Sequence, residues 1–446
     1  MEQSANSGKK LSLYDLTSMA VGQIIGAGIM TMLGIGIGLT GRSVVFALIV
    51  AAILTIFCSI PQIILAGTAT FPGGYYTMFA TLCNKKLAGI YTYINLFMVL
   101  GISFYALSFA SYFLSLFPNV NEKLLCTVVM TLLLLLHLFG VKQAARLQNV
   151  MTVILAVALA LYIVLGMGSL EPNFFDPAQF MTSGPMGFVL ASVFLTFAFG
   201  GGTFIVSYSG QAKNPMRDIP VAMIVSTLFV AVFYLFIAIV AVGTLPVAEA
   251  ANQPLSVSAA VFMPDALYTF FVVGGGMFAL LTSMNFCIGN LVYPAVTACM
   301  DGWLPKALMA KNKRFGTNHL ILLAIYVVVL VPVLLGMDMQ TAANSTVILS
   351  FAIFIIACYA ALRMPKKIPE LWAASKFHCN ETALKALCVV AIVILVLGTL
   401  LLIFSSPVAE IVGNILVLAV SAVLGILVSK RATVPVLDGA APAGKE

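Results

Sequence analysis

Phe197-Ala198-Phe199-Gly200-Gly201-Gly202-Thr203 sets three adjacent glycines inside an apolar stretch, 186–209, that contains no acidic or basic residue. A helix interior tolerates glycine poorly, at roughly 1 kcal/mol each relative to alanine. Three in a row cover the whole circumference of a helix, so no single packing face accounts for them. A second glycine cluster, Ile24-Ile25-Gly26-Ala27-Gly28-Ile29, lies in the stretch 13–39, which carries no charge between Asp15 and Arg42. Here Gly22 and Gly26, and Gly34 and Gly38, also have the four-residue spacing of closely packed membrane helices. Unwinding and packing are both open for this stretch alone. The two clusters together favour unwinding.

The surrounding composition says what kind of helices these are. Of 446 residues, 62% are hydrophobic and 8% are charged, against about 25% charged in soluble domains. A soluble chain this apolar could not cover its surface with polar groups, whereas a lipid-facing chain has no such need. Twelve apolar spans follow: 13–39, 43–66, 88–117, 124–140, 148–168, 186–209, 220–244, 266–298, 319–336, 342–362, 384–404 and 408–429. Each is at least about as long as the apolar run that crosses a bilayer. In lipid each backbone must satisfy its own hydrogen bonds, so these are helices. The expected fold is an all-α polytopic membrane protein.

Charge gives the orientation. With the N-terminus inside, all of the 22 Lys and Arg residues except Arg42 and Lys123 fall on the inner side, as the positive-inside rule requires. The expected location is the plasma (cell inner) membrane, with both termini cytoplasmic. The net charge of +7 belongs to that face, and no soluble domain gathers it into a nucleic-acid surface. The start, MEQSANSGKK, is polar and the first apolar stretch is too long for a cleavable signal. Residues 1–12 read as an N-terminal tail, 13–362 as a ten-helix core, 384–429 as two additional helices, and 430–446 as an Ala-, Pro- and Gly-rich tail expected to be disordered. The eight cysteines have no CxxC pair and read as small hydrophobes. His137, His319 and His378 lack metal-ligand spacing. No metal, cofactor or partner subunit is indicated.

Two glycine-interrupted spans in matching positions of two halves are the sequence mark of a transporter site. Spans 1 and 6 match if the repeat is five plus five, and an odd repeat inverts the second half. The chemistry of such a break suits a zwitterion. Unwinding at Gly26-Ala27-Gly28 exposes backbone N–H groups at the start of the second half-helix, which suit a carboxylate. The carbonyls that end the first half suit an ammonium. No charged side chain is needed, and spans 1 and 6 supply none within the breaks.

Four motifs carry a family resemblance. Ile25-Gly26-Ala27-Gly28-Ile29 resembles the first-helix signature of the amino acid–polyamine–organocation superfamily. Phe71-Pro72-Gly73-Gly74-Tyr75-Tyr76 resembles its P-x-G-G-x-Y after helix 2. Lys213-Asn214-Pro215-Met216-Arg217-Asp218-Ile219-Pro220 is similar to its N-P-x-R-x-I-P loop, and Asp301-Gly302-Trp303-Leu304-Pro305 to its loop after helix 8. They occur in the family's order and at its spacing. Ala198-Phe199-Gly200-Gly201 looks most like the L-type amino acid transporters and their bacterial relatives.

The resemblance implies a five-plus-five inverted repeat with discontinuous helices 1 and 6, two extra helices, and amino acid transport. It implies that the substrate carboxylate meets the amides of Ala27 and Gly28, and the ammonium the carbonyls of Ile24, Phe197 and Gly200. Phe197 would be the gating aromatic, and Asn285 would line the cavity or pin two helices. Thr203 would touch the substrate side chain or bond its own helix. Thr282 and Ser283 would offer hydroxyls to Na⁺ or pack helices. Asp15 would serve an ion, or, the preferred reading, the helix dipole.

The sequence departs from the pattern at Leu155, seven residues after Gln148, where relatives often carry lysine. It departs again at Gly210-Gln211, where an acidic pair is common, at Thr203, where cationic-substrate relatives can carry glutamate, and at Met300, where the family has arginine. The expected function is secondary transport of neutral amino acids by alternating access, as permease or exchanger, with Na⁺-independent coupling favoured. An amino acid sensor on a transporter fold and a Na⁺-coupled symporter are the alternatives. No HExxH or paired intramembrane aspartates suggest an enzyme, and no filter-like repeat or ring of charges suggests a channel.

Overall fold

The computed structural model describes residues 11–433 except Pro72, Gly140 and Asp338, with side chains for all of these save Ala27, residues 141–149, Asn290 and Tyr293. The terminal tails before Leu11 and after Thr433, and the side chain of Gln148, therefore lie outside the described residues.

Among these residues the chain is helical, and eleven helical stretches are long and apolar enough to cross a membrane. A shorter apolar helix, His319–Leu335, supplies the ninth of the twelve expected spans. Its 17 residues sit at the short end of the spanning range.

Span 1 runs Leu13–Ile24, Ala27–Met30 and Met32–Thr40. Its start is a capping box: the Asp15 carboxylate accepts from the Ser12 amide at 2.8 Å, and the Ser12 hydroxyl caps the Asp15 amide at 3.3 Å. Asp15 thus acts where a first-turn acid complements the helix dipole. Span 6 is α-helical over Gly184–Phe194 and then tightens to 3₁₀ winding over Leu195–Gln211. Its discontinuity is a change of winding rather than a gap. Such long 3₁₀ runs are uncommon because their hydrogen bonds are poorer. Span 3 is also interrupted, between Phe97 and Leu100, and span 8 holds a π segment, Phe271–Met277. The irregular spans therefore pair as 1 with 6 and 3 with 8, as a repeat of five predicts.

Two groups of helices emerge. Spans 1, 2, 6 and 7 (Val44–Thr68 and Pro215–Gly243 for spans 2 and 7) pack on one another. Spans 3, 4, 8 and 9 (Glu122–Phe139 for span 4) form the second group. Span 5, Val141–Gly166, lies against the π segment of span 8 and also touches span 7. Span 10, Met339–Lys367, bridges spans 2 and 3. Span 11, Glu381–Phe404, leans on spans 10 and 2, and span 12, Val408–Val428, on the first half of span 3.

Polar ties close both ends. On the side assigned inside, the glycines of the 71–76 motif have φ of +148° (Gly73) and +62° (Gly74), which only glycine adopts freely. The turn they make delivers Tyr76 to Asp301 and receives the Trp303 indole N–H at 2.9 Å. Burial raises the Asp301 carboxyl above the usual range, and the bond from Tyr76 opposes that. Two motifs 225 residues apart are thus one contact. On the opposite side the buried Arg42 donates to Glu171 and to the Asn173 carbonyl, and its guanidinium lies 5.7 Å from the Phe174 ring. This clamps the 1–2 loop to the 5–6 loop.

Candidate substrate site

At the break in span 1 the residue Ile25 is extended, with φ −74° and ψ 96°. The amides of Ala27 and Gly28 open the next helical segment, where no preceding turn supplies acceptors. The Ile24 carbonyl accepts from the Tyr234 hydroxyl of span 7 at 2.7 Å, which holds the end of the first segment in place. Tyr112 of span 3 does the same further along, donating to the Met30 carbonyl at 2.6 Å and accepting from the Leu255 amide at 3.0 Å.

Span 6 meets the break through its glycines. A Cβ on Gly28 would fall 2.5 Å from the Ala198 Cα, and one on Gly201 would fall 2.8 Å from the Gln23 carbonyl oxygen. A Cβ on Gly200 would meet nothing within 4 Å. So both sequence readings hold at once, on different glycines: Gly28 and Gly201 bring two backbones together, and Gly200 faces open space.

That space is a cavity of about 110 Å³, on the order of ten times what one water requires. Ile24, Gly26, Gly28, Phe197, Gly200 and Ser283 line it, together with residues of spans 2, 3, 10 and 11. Phe197 is half-buried and packs edge-on to Phe104 at 6.5 Å. Among the described residues, none lining the cavity is acidic, basic or histidine. Most wall hydroxyls already donate to their own helices: Thr55 to Ala51, Thr196 to Val193, Ser283 to Ala279, Thr346 to Ala342 and Ser350 to Thr346. The remaining polar capacity is main chain at the break, the Tyr105 hydroxyl and Gln23, whose buried Oε1 has no partner.

Three expected residues lie elsewhere. Thr203 donates to the Gly200 carbonyl at 3.0 Å and borders a separate small pocket with Ser59, Met223 and Thr227. Asn285 is buried outside the cavity lining and interacts with His137 of span 4. Thr282 is fully buried and donates to Ala279. Of the hydroxyl pair only Ser283 reaches the cavity, directly against Gly26. Leu155, in place of the relatives' lysine, is buried. The residues missed by sequence are Gln23, Tyr105 of span 3 and the wall formed by span 11. Nothing in their local sequence marks them.

A helical membrane protein whose broken first span faces a central cavity with no charged side chain among the described lining residues has the build of a secondary transporter. The chain belongs to the amino acid permease family, which it matches over residues 11–428. It is 24% identical over 402 residues to the branched-chain amino acid permease of Bacillus subtilis, covering 83% of this chain and 85% of that protein. It is 24% identical over 395 residues to the methylthioribose transporter of the same organism (83% and 84%). The human cystine/glutamate transporter matches at 25% over 387 residues (81% and 75%). These relatives are transporters and not enzymes. The chain is an integral membrane amino acid transporter.

Proposed function

We propose that the protein carries neutral amino acids across the cell's inner (plasma) membrane by alternating access, with both termini cytoplasmic. The observation that supports this most is the cavity at the span 1 break, which offers main-chain groups and no charged side chain. A lysine or arginine side chain would bring an uncompensated charge into it, and burying such a charge is prohibitive. The α-carboxylate meets the amides of Ala27 and Gly28, and the ammonium the carbonyls of span 6, with Phe197 closing over them. Relative movement of the group formed by spans 1, 2, 6 and 7 against that of spans 3, 4, 8 and 9 exposes the cavity to either side. Competition for uptake into proteoliposomes tests the substrate class. Alanine, leucine and phenylalanine should compete and arginine should not; arginine outcompeting all three would overturn the reading.

A further inference from the structure

The cavity that touches Gly26 and Gly200 has an apolar part walled by spans 2, 6, 10 and 11, through Leu54, Val193, Phe351, Phe354, Ile394 and Leu395. All six are hydrocarbon side chains. Span 11 is the unexpected wall, since the sequence sets it outside the ten-helix core. Half of it is exposed, including Val393, Val396, Leu397 and Leu400, but Leu395 is 2% exposed. One turn further on, Gly398 seats the helix: a Cβ there would lie 3.0 Å from Phe351 and 3.2 Å from Val193. Span 11 thus presents a narrow apolar stripe to the cavity at a depth fixed by Gly398.

We propose that this apolar arm receives the substrate side chain, and that Leu395, with Ile394, sets the length it accepts. The protein then favours neutral amino acids with extended apolar side chains, of leucine or methionine size, over small ones. The inference rests on the reading of the cavity as an amino acid site. The main-chain groups at the break account for the two charges of the substrate, and the hydroxyls beside the arm, Thr55, Thr196 and Ser350, donate to their own helices. What the arm offers is dispersion contact and exclusion of water, and one methylene in such a pocket changes selectivity by roughly tenfold.

The test uses full-length protein in proteoliposomes, with radiolabelled alanine and leucine taken up separately and in competition. The parent should prefer leucine and methionine to alanine by about tenfold or more. Leu395→Phe, which fills the arm, should lower leucine uptake at least tenfold relative to alanine, while Leu395→Ala should raise phenylalanine relative to leucine. An unchanged leucine-to-alanine ratio in both variants, or equal loss of both substrates in monodisperse protein, overturns the role of span 11 and leaves neutral amino acid transport standing. A parent that takes up no neutral amino acid overturns the underlying site reading instead. If Leu395→Phe does not purify as a monodisperse protein, Leu395→Ala decides the matter alone.

Discussion

Adding one methyl group at Gly200 or at Gly28 should have opposite consequences for stability. Both glycines line the cavity. At Gly200 the added carbon meets no atom within 4 Å, so the folded state accommodates it. A glycine replaced by alanine at a compatible helical position gains about 0.4–1 kcal/mol through the unfolded chain. Gly200→Ala should therefore melt at or slightly above the parent temperature. The same methyl occupies space beside the carbonyl proposed to meet the ammonium, and a methyl-sized misfit in a tight site is worth roughly 1–3 kcal/mol. The KM for neutral amino acids should rise about tenfold to a hundredfold. At Gly28 the carbon falls 2.5 Å from the Ala198 Cα and 2.9 Å from its Cβ. These are backbone-anchored atoms of a neighbouring helix, which cannot rotate away. Gly28→Ala should lose roughly 1–3 kcal/mol of stability by overpacking and lose uptake with it. The assay is thermal unfolding of purified protein with and without leucine, beside uptake kinetics in proteoliposomes. A Gly200→Ala protein with the parent's KM and the parent's stabilisation by leucine would show that substrate does not lie on Gly200.

Further outcomes follow from single contacts. Of the Thr282 and Ser283 hydroxyls only that of Ser283 faces the cavity, too few side-chain oxygens for a Na⁺ site, so replacing Na⁺ with K⁺ should leave uptake unchanged, and so should Ser283→Ala; strict Na⁺ dependence abolished by either alanine variant would reverse this. Tyr76→Phe removes the donor to Asp301 and the acceptor of the buried Trp303 indole, and should lower stability by about 1–3 kcal/mol, read as a fall in melting temperature. Arg42→Ala should destabilise the protein by roughly 1–3 kcal/mol, less than a fully buried pair would, because Glu171 is 35% exposed and rehydrates. Because the Arg42 side chain is fully buried, that loss should differ little between low and high salt, and a loss that vanishes in high salt would count against the clamp.

The sequence by itself determined the fold class, the approximate spans and the departure of spans 1 and 6 from α winding at their glycine clusters; the interruption of span 3 and the π segment of span 8 emerged only from the structure. A bilayer allows an apolar stretch of about 20 residues one solution, a helix satisfying its own backbone, so hydropathy alone locates it. Glycine's lack of a side chain is a local property, so the clusters at Gly26-Ala27-Gly28 and Gly200-Gly201-Gly202 could be read without knowing their neighbours. What those neighbours are was decided only by tertiary structure. Span 11 is apolar on nearly every side within the membrane, so no amphipathic stripe announces that Leu395 turns inward while Leu397 faces out. Thr203 sits three residues from Gly200, yet its hydroxyl faces its own helix and a different pocket. The 3₁₀ winding of span 6 rotates its side chains away from the register an α-helix would give them. Gly28 as spacer and Gly200 as open floor are the same residue type in the same kind of sequence. They differ in that a distant span packs against one and not the other: Ala198 of span 6 lies against Gly28, while a Cβ on Gly200 would meet nothing within 4 Å, and such contacts between distant segments are set by how the whole bundle packs.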